Sequence, residues 1–211
     1  MKRQLSFSLF FFSFTFLCLS LFFCHGIESP QFTVVRSESD FEIRLHGESS
    51  WMTAPVQTDS FETATKEGFH RLYIYIHGGN EDSYHLAMTA PVLTSIDPDA
   101  QSSSEYSVRL YLSTNINGGP PHPLPNLNLK FTKWGSRCVA VRKFSGFAKD
   151  DNIIKEAENL SVSLQRSNST NPLILEDKHA YTIAQYNSSS HLVGRLNEVW
   201  MNVVGHANKA C

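Results

Sequence analysis

One order of patterns is written twice along this chain, and that repeat constrains the fold more than any single residue does. Asp40-Phe41-Glu42-Ile43-Arg44-Leu45 and Asn126-Leu127-Asn128-Leu129-Lys130-Phe131 alternate polar and apolar residues, 86 positions apart. A period of two is the pattern of a half-buried strand. At the same offset Ser136 to Val141 lines up with Ser50 to Val56, Ala140 falling on Ala54. The period then changes. Phe61, Ala64, Thr65, Gly68, Phe69, Leu72 and Ile76 lie on one face of a helix. Asp59 three residues before Glu62 resembles a capping box, and Gly78-Gly79-Asn80 stops the helix. At an offset of 89, Lys155-Glu156-Ala157 matches Lys66-Glu67-Gly68, and Ile153, Ile154, Ala157, Leu160 and Leu164 form a second apolar face. Strand-like runs follow each helix: Tyr84 to Val92 and Tyr106 to Leu112, then His179 to Tyr186 and Glu198 to Val203.

The order strand-strand-helix-strand-strand, twice, gives eight strands and two helices in halves of about 32–113 and 126–204. Each helix needs a sheet to cover its apolar face, and strands with one wet face favour antiparallel pairing. The expectation is an α+β fold with pseudo-twofold symmetry, its strands closing into a curved sheet or a distorted, mostly antiparallel β-barrel. A pocket between a helix and the sheet is the natural ligand site.

The beginning of the chain has a different character. Eight of its fifteen Phe lie between Phe7 and Phe23, and every residue from Leu5 to Cys24 is apolar, Ser or Thr. Lys2 and Arg3 precede the run, and Cys24-His25-Gly26 ends it with small residues. This is the pattern of a secretory signal peptide, residues 1–26, leaving one domain over 27–211. An uncleaved membrane anchor is the alternative. Cleavage removes two basic residues and no acidic one from a chain whose formal net charge is already −2. Such a balance argues against nucleic-acid binding and against a polybasic membrane surface. Three sequons agree with secretion, at Asn159, Asn168 and Asn187. Cys138 and Cys211 remain in the mature chain. They either form a disulfide, Cys138–Cys211, or stay as a buried small hydrophobe and a terminal thiol.

Motifs for common chemistries are missing. The chain contains no G-x-S-x-G, no P-loop, no H-E-x-x-H, no GxGxxG and no zinc-spaced cluster. Asp150-Asp151 reads as a solvated turn or a helix cap. One line of residues has more to offer. Lys66, His70, Tyr73 and His77 share a shoulder of the first helix beside its core stripe, with Arg71 flanking them. That shoulder suits a flat apolar ligand with anionic edges, which Lys66 or Arg71 would pair and an imidazole would ligate at a central metal. As an alternative the shoulder is simply a solvated helix face.

The run Gly68-Phe69-His70-Arg71-Leu72-Tyr73-Ile74-Tyr75-Ile76-His77-Gly78-Gly79-Asn80, followed by Met88-Thr89-Ala90-Pro91-Val92, resembles the SOUL haem-binding protein family. Phe41-Glu42-Ile43-Arg44, Phe144-Ser145-Gly146-Phe147 and Asn197-Glu198-Val199-Trp200 fit it in the same order. The resemblance implies a distorted barrel of about eight strands with two helices. It also implies binding of haem or a metal-free porphyrin against the first helix, for buffering or transport. Carried over by position, the resemblance points to Lys66, Phe69 and Arg71, with His70 between them; helix phase puts Phe69 on the core side as the pocket floor, and the shoulder adds Tyr73 to the tetrapyrrole-binding set. Some family members carry a His after the Glu-Ile-Arg strand motif as a proposed axial ligand. Here that position is Leu45, and His46 lies one place on, which sends its imidazole to the opposite face. Metal-ligand candidates are therefore confined to His70, His77 and His46, none of them firm. Met-Thr-Ala-Pro-Val also occurs twice, at Met52 and Met88; Met88 is a further candidate to face the ligand, against a structural role for both segments.

These features lead to a secreted, glycosylated, monomeric tetrapyrrole binder with no catalytic residue. The competing readings are a tetrapyrrole-modifying enzyme and a protein-interaction module with a vestigial pocket.

Overall fold

The computed structural model describes residues 27–97, 105–114, 116, 118–167, 173–177, 179–188, 190–205 and 211. The basic start and apolar run before Ile27, and the sequon at Asn168, lie outside them. In chain order the elements are β1 (Phe32–Ser37), β2 (Glu42–His46), β3 (Ser49–Gln57), α1 (Phe61–Ile76), β4 (Val92–Asp97), β5 (Glu105–Leu112), a 3-10 turn (Pro125–Leu127), β6 (Lys130–Trp134), β7 (Arg137–Ser145), α2 (Ile153–Ser167), β8 (Leu173–Leu175), β9 (Thr182–Gln185) and β10 (Leu196–Gly205).

The strands form one antiparallel sheet in the order β1-β2-β7-β10-β9-β4-β5-β3-β6, with β8 added to β10. The two halves are symmetric in it, and each lends its first strand to the other. β2 pairs with β7 of the second half, and β6 pairs with β3 of the first. The registers match too. Leu45 faces Cys138 across one ladder, and Phe131 faces Met52 across the other. Adding 86 to Leu45 and subtracting 86 from Cys138 converts the first pair into the second. The offset visible in the sequence is therefore a register of the sheet.

Both helices lie on one face of this curled sheet, α1 over β3, β4 and β5, and α2 over β7 and β10. Their apolar stripes meet Ile43, Met52, Ala54, Val108, Leu110, Ala140, Val199 and Met201 in the main core. On the other face a second cluster gathers Trp51, Tyr111, Val139, Val141 and Trp200. Strand alternation separates the two sets. A buried polar network anchors the second face. Glu198, 2 % exposed, accepts N–H bonds from Arg44 at 3.0 and 3.1 Å, from the Trp200 indole at 2.8 Å, and an O–H bond from Tyr186 at 2.8 Å. Four donors on one carboxylate offset much of the cost of burying its charge. Cys138 of β7 is joined to Cys211, with the Cα atoms 5.6 Å apart, which ties the last residue to the sheet.

The α+β class with two helices over an antiparallel curved sheet holds, with differences in detail. Among the described residues there are ten strands rather than eight, β1 and β8 being the additions. The ladder ends at β1 and β6, so the sheet is curled and open along that path. The stretch Tyr84 to Pro91 is not a strand; β4 begins at Val92. Asn80 explains this. Its side-chain amide donates to the carbonyls of Tyr75 and Tyr84 and accepts from the N–H of Tyr84, closing a turn. Thr89 then donates its hydroxyl to the carbonyl of Tyr111. Side chains thus hold backbone groups that a ladder would have used. The α1 cap also differs. Ser60, not Asp59, is the N-cap, accepting from the N–H of Thr63 at 3.1 Å. Asp150, from the turn before α2, accepts from Phe61 N–H and the Ser60 hydroxyl, so it caps the opposite helix.

Candidate functional site

A cavity of about 650 Å³ opens between α1 and the end of the sheet, within the range of small-molecule and cofactor sites. α1 supplies one wall. Phe61, Glu62, Thr65, Lys66, Phe69, His70 and Tyr73 recur there every three or four residues, because that spacing returns a side chain to the same flank. The segment after α1 supplies Met88, Thr89, Ala90 and Val92. Phe147 and Ala148 precede α2, while Gln185, Tyr186, Asn187, Ser188 and Arg195 come from the β9–β10 connection. Ile27 also lines it. The lining is mostly carbon, with a few polar groups at its rim.

Phe69 is half-buried and faces the cavity, as its helix phase requires. Lys66 and His70 are exposed at the rim. Tyr73 lines the cavity and stacks on His77, ring centroids 3.9 Å apart. His77 itself is the C-cap of α1, its Nδ1 2.8 Å from the carbonyl of Tyr73, and it does not line the cavity. His46 is on the opposite face of the sheet, 5 % exposed, packed between Phe32 and Trp200. Burial, with Arg44 nearby, pulls its pKa down to about 4. Leu45, the residue before it, packs against the helix-side core.

Arg71 departs from the expectation. Its guanidinium donates to the carbonyls of Pro55, Leu127 and Asn128, on the far side of α1 from the cavity. Five residues at 3.6 per turn carry Arg71 about 140° around the helix from Lys66, so the two cannot share a ligand's edge. Arg195 is the second cation that the cavity does have. It is buried, its Nη atoms donate to the carbonyls of Asn187, Ser188 and His191, and it lies 4.4 Å from the ring centroid of Phe147. Its charge has no carboxylate partner among the described residues. Periodicity missed Arg195 because it belongs to an irregular loop. Phe147 was visible only as part of a motif. Met88 faces the cavity and is 40 % exposed, whereas Met52 of the duplicate motif is buried in the core.

The two other described sequons fall at different places. Asn159 is half-buried on α2. Asn187 sits at the cavity rim, its side-chain oxygen accepting from the N–H of Leu196 at 2.7 Å. Among the described residues there is no group of three or more His, Cys, Asp or Glu placed to hold a metal ion. No helix of the described residues is long and apolar enough to cross a membrane.

The chain is 31 % identical over 163 residues to heme-binding protein 2 of Homo sapiens, covering 76 % of this chain and 77 % of that protein. Heme-binding protein 1 of Xenopus laevis is 27 % identical over 181 residues, covering 83 % and 92 %. Among solved structures the C-terminal domain of EcmrR aligns with a TM-score of 0.53 at 12 % identity, covering 78 % of this chain and 97 % of that one, a likeness of fold alone. The model of the family described as SOUL heme-binding protein matches residues 27–202. With nearly all of the described chain inside that match, the protein belongs to the SOUL heme-binding family.

Proposed function

We propose that this chain binds haem or a related tetrapyrrole in the cavity against α1, holding or carrying the ligand without changing it. The observation that carries the reading is the cavity itself: about 650 Å³, walled by Phe61, Phe69, Tyr73, Met88 and Phe147, with Lys66 at its rim and Arg195 buried in its wall. A flat macrocycle gains from apolar cover on its faces, and its propionates gain from a nearby ammonium. Lys66 would hold a propionate, and Arg195 would add positive potential from within the wall. Were iron bound in the ring, His70 and Met88 would be among the lining side chains able to donate to it. The relatives named heme-binding proteins support the ligand class.

A visible-absorption titration of the purified chain with haemin and with metal-free porphyrin tests this. Saturable binding of both, with the pigments recovered unchanged, is the expected result. Turnover of either pigment would favour an enzyme, and failure of both to bind would reject the reading.

We further infer that the protein enters the secretory pathway, loses residues 1–26 and carries N-glycans at Asn159, Asn168 and Asn187 as a monomer. The N-terminal basic and apolar run and the sequons support this. N-terminal sequencing of secreted material that began at Met1 would reject cleavage, and retention in membranes would favour the anchor.

A further inference from the structure

The face of the sheet away from the helices has a cavity of its own, about 220 Å³, a third of the volume of the helix-side site. Its walls include Trp134, Trp200, Arg109 and Arg137, with the hydroxyls of Ser95 and Thr182 alongside. The guanidinium carbons of Arg137 and Arg109 lie 4.2 and 5.4 Å from the ring centroid of Trp134. Arg109 is positioned by a 2.7 Å bond to the Ser95 hydroxyl, which is itself 2.8 Å from the hydroxyl of Thr182.

Arg137 is the unusual member. Its Nε is buried without an acceptor among the described residues, while the side chain as a whole is half-buried. Among the described residues no carboxylate lies within 4.0 Å of it. Burial pulls its pKa below the ordinary value, with Glu176 acting in the other direction from a distance. A guanidinium stacked on an indole has its plane fixed and its donor edge presented, which is the arrangement that receives a carboxylate in a bidentate pair. Here the guanidinium lies over the Trp134 ring and forms no ion pair among the described residues. The two indoles in the lining, Trp134 and Trp200, suit a planar ring attached to that carboxylate. The volume admits about one or two fused rings and excludes a tetrapyrrole.

Two acidic residues, Glu176 and Asp177, also line the cavity. Asp177 accepts from the backbone N–H of His179 at 2.7 Å. Glu176 is exposed at the mouth, where it opposes an incoming anion. We propose that this second cavity is a binding site for a small aromatic carboxylate, gripped by Arg137 and stacked between Trp134 and Trp200. The site is separate from the helix-side cavity and does not depend on the tetrapyrrole reading.

The test follows tryptophan fluorescence of the full chain during titration with benzoate and with benzamide, its neutral isostere. Benzoate binds saturably and at least tenfold tighter than benzamide if the proposal holds. Arg137→Gln and Arg137→Lys each weaken benzoate at least tenfold, because neither keeps both the planar fork and the stack, while haemin binding to the helix-side cavity is unchanged. Glu176→Gln, an exposed change that leaves the core untouched, tightens benzoate two- to fivefold. Equal affinity for benzoate and benzamide would overturn the proposal. So would a Glu176→Gln variant that binds benzoate no better than the parent, whatever becomes of the Arg137 variants.

Discussion

A Cβ on Gly68 of α1 would lie 2.4 Å from the Cγ2 and 2.5 Å from the Cβ of Val108 on β5. The helix therefore rests directly on the strand at this point, and the approach sets the height of the cavity wall that carries Lys66, Phe69 and Tyr73. Gly68→Ala gains about 1 kcal/mol of helix propensity. The clash is with a branched side chain at its root, and overpacking of this kind costs about 1–3 kcal/mol. The clash wins. The variant should have a lower urea midpoint with an unchanged m-value, and weaker haemin binding because α1 is lifted. A more stable Gly68→Ala variant would show that the wall is not fixed by this contact.

His46 makes stability depend on pH. Its folded pKa of about 4 lies below the ordinary 6.5, because burial disfavours the imidazolium. Between these values the unfolded chain binds more protons than the folded one, so stability falls as pH drops from 6.5 towards 4. The loss across that window is about 3 kcal/mol. His46→Phe keeps an aromatic ring between Phe32 and Trp200 and removes a buried Nε2 that has no partner among the described residues. The variant should be as stable as the parent at pH 7 and lose less stability on acidification. Thermal unfolding followed from pH 7 to pH 4 checks it, and parallel curves for the two proteins would refute it.

Lys66 and Arg71 should separate into two kinds of effect. Lys66 is exposed at the cavity rim, so a pair with a propionate there is worth roughly 0.5–1 kcal/mol. Lys66→Ala should weaken haemin and metal-free porphyrin alike, three- to fivefold, with no change in melting temperature. Arg71→Ala strips donors from the carbonyls of Pro55, Leu127 and Asn128 and should lower the melting temperature while leaving tetrapyrrole affinity as it was. Titration beside thermal melts of both variants distinguishes the two, and a reversed pattern would place Arg71 at the ligand.

The Cys138–Cys211 bridge closes a loop across 73 positions of chain. Constraint of the unfolded state by such a loop contributes about 2–4 kcal/mol. Reduction should lower the denaturation midpoint accordingly while leaving the helix-side cavity functional. A reduced protein of unaltered stability would mean that the bridge constrains the unfolded chain too little to matter.

The framework was legible because its signals are periodic. The 86-residue offset between Leu45 and Phe131 reappears as matched ladder registers, and the α1 stripe from Phe61 to Ile76 is the buried face of the observed helix. Phase also put Phe69 in the cavity and His46 on the other face of the sheet. What could not be read was set by side chains acting across distance. Asn80 turns the chain where an extended run was expected, and Asp150 caps a helix about ninety positions away. Arg195 enters the cavity from a loop without period, while Arg71, adjacent in sequence to true lining residues, is drawn off by carbonyls of other elements. Neighbourhood along the chain placed Arg71 in the site; only the angle around the helix removes it.

The most direct measurement is haemin and metal-free porphyrin titration of a Phe69→Asp variant beside the parent, with His70→Ala as the ligation control. Phe69 is half-buried in the cavity wall, so a carboxylate there repels propionates and wets the apolar face without emptying the main core. The account predicts at least a tenfold loss for both pigments in Phe69→Asp, with the fold retained by circular dichroism, and a loss of less than threefold in His70→Ala. Undiminished binding in Phe69→Asp would contradict the site. Loss of haemin alone in His70→Ala, with porphyrin binding intact, would contradict the mode by making the protein an iron-ligating one.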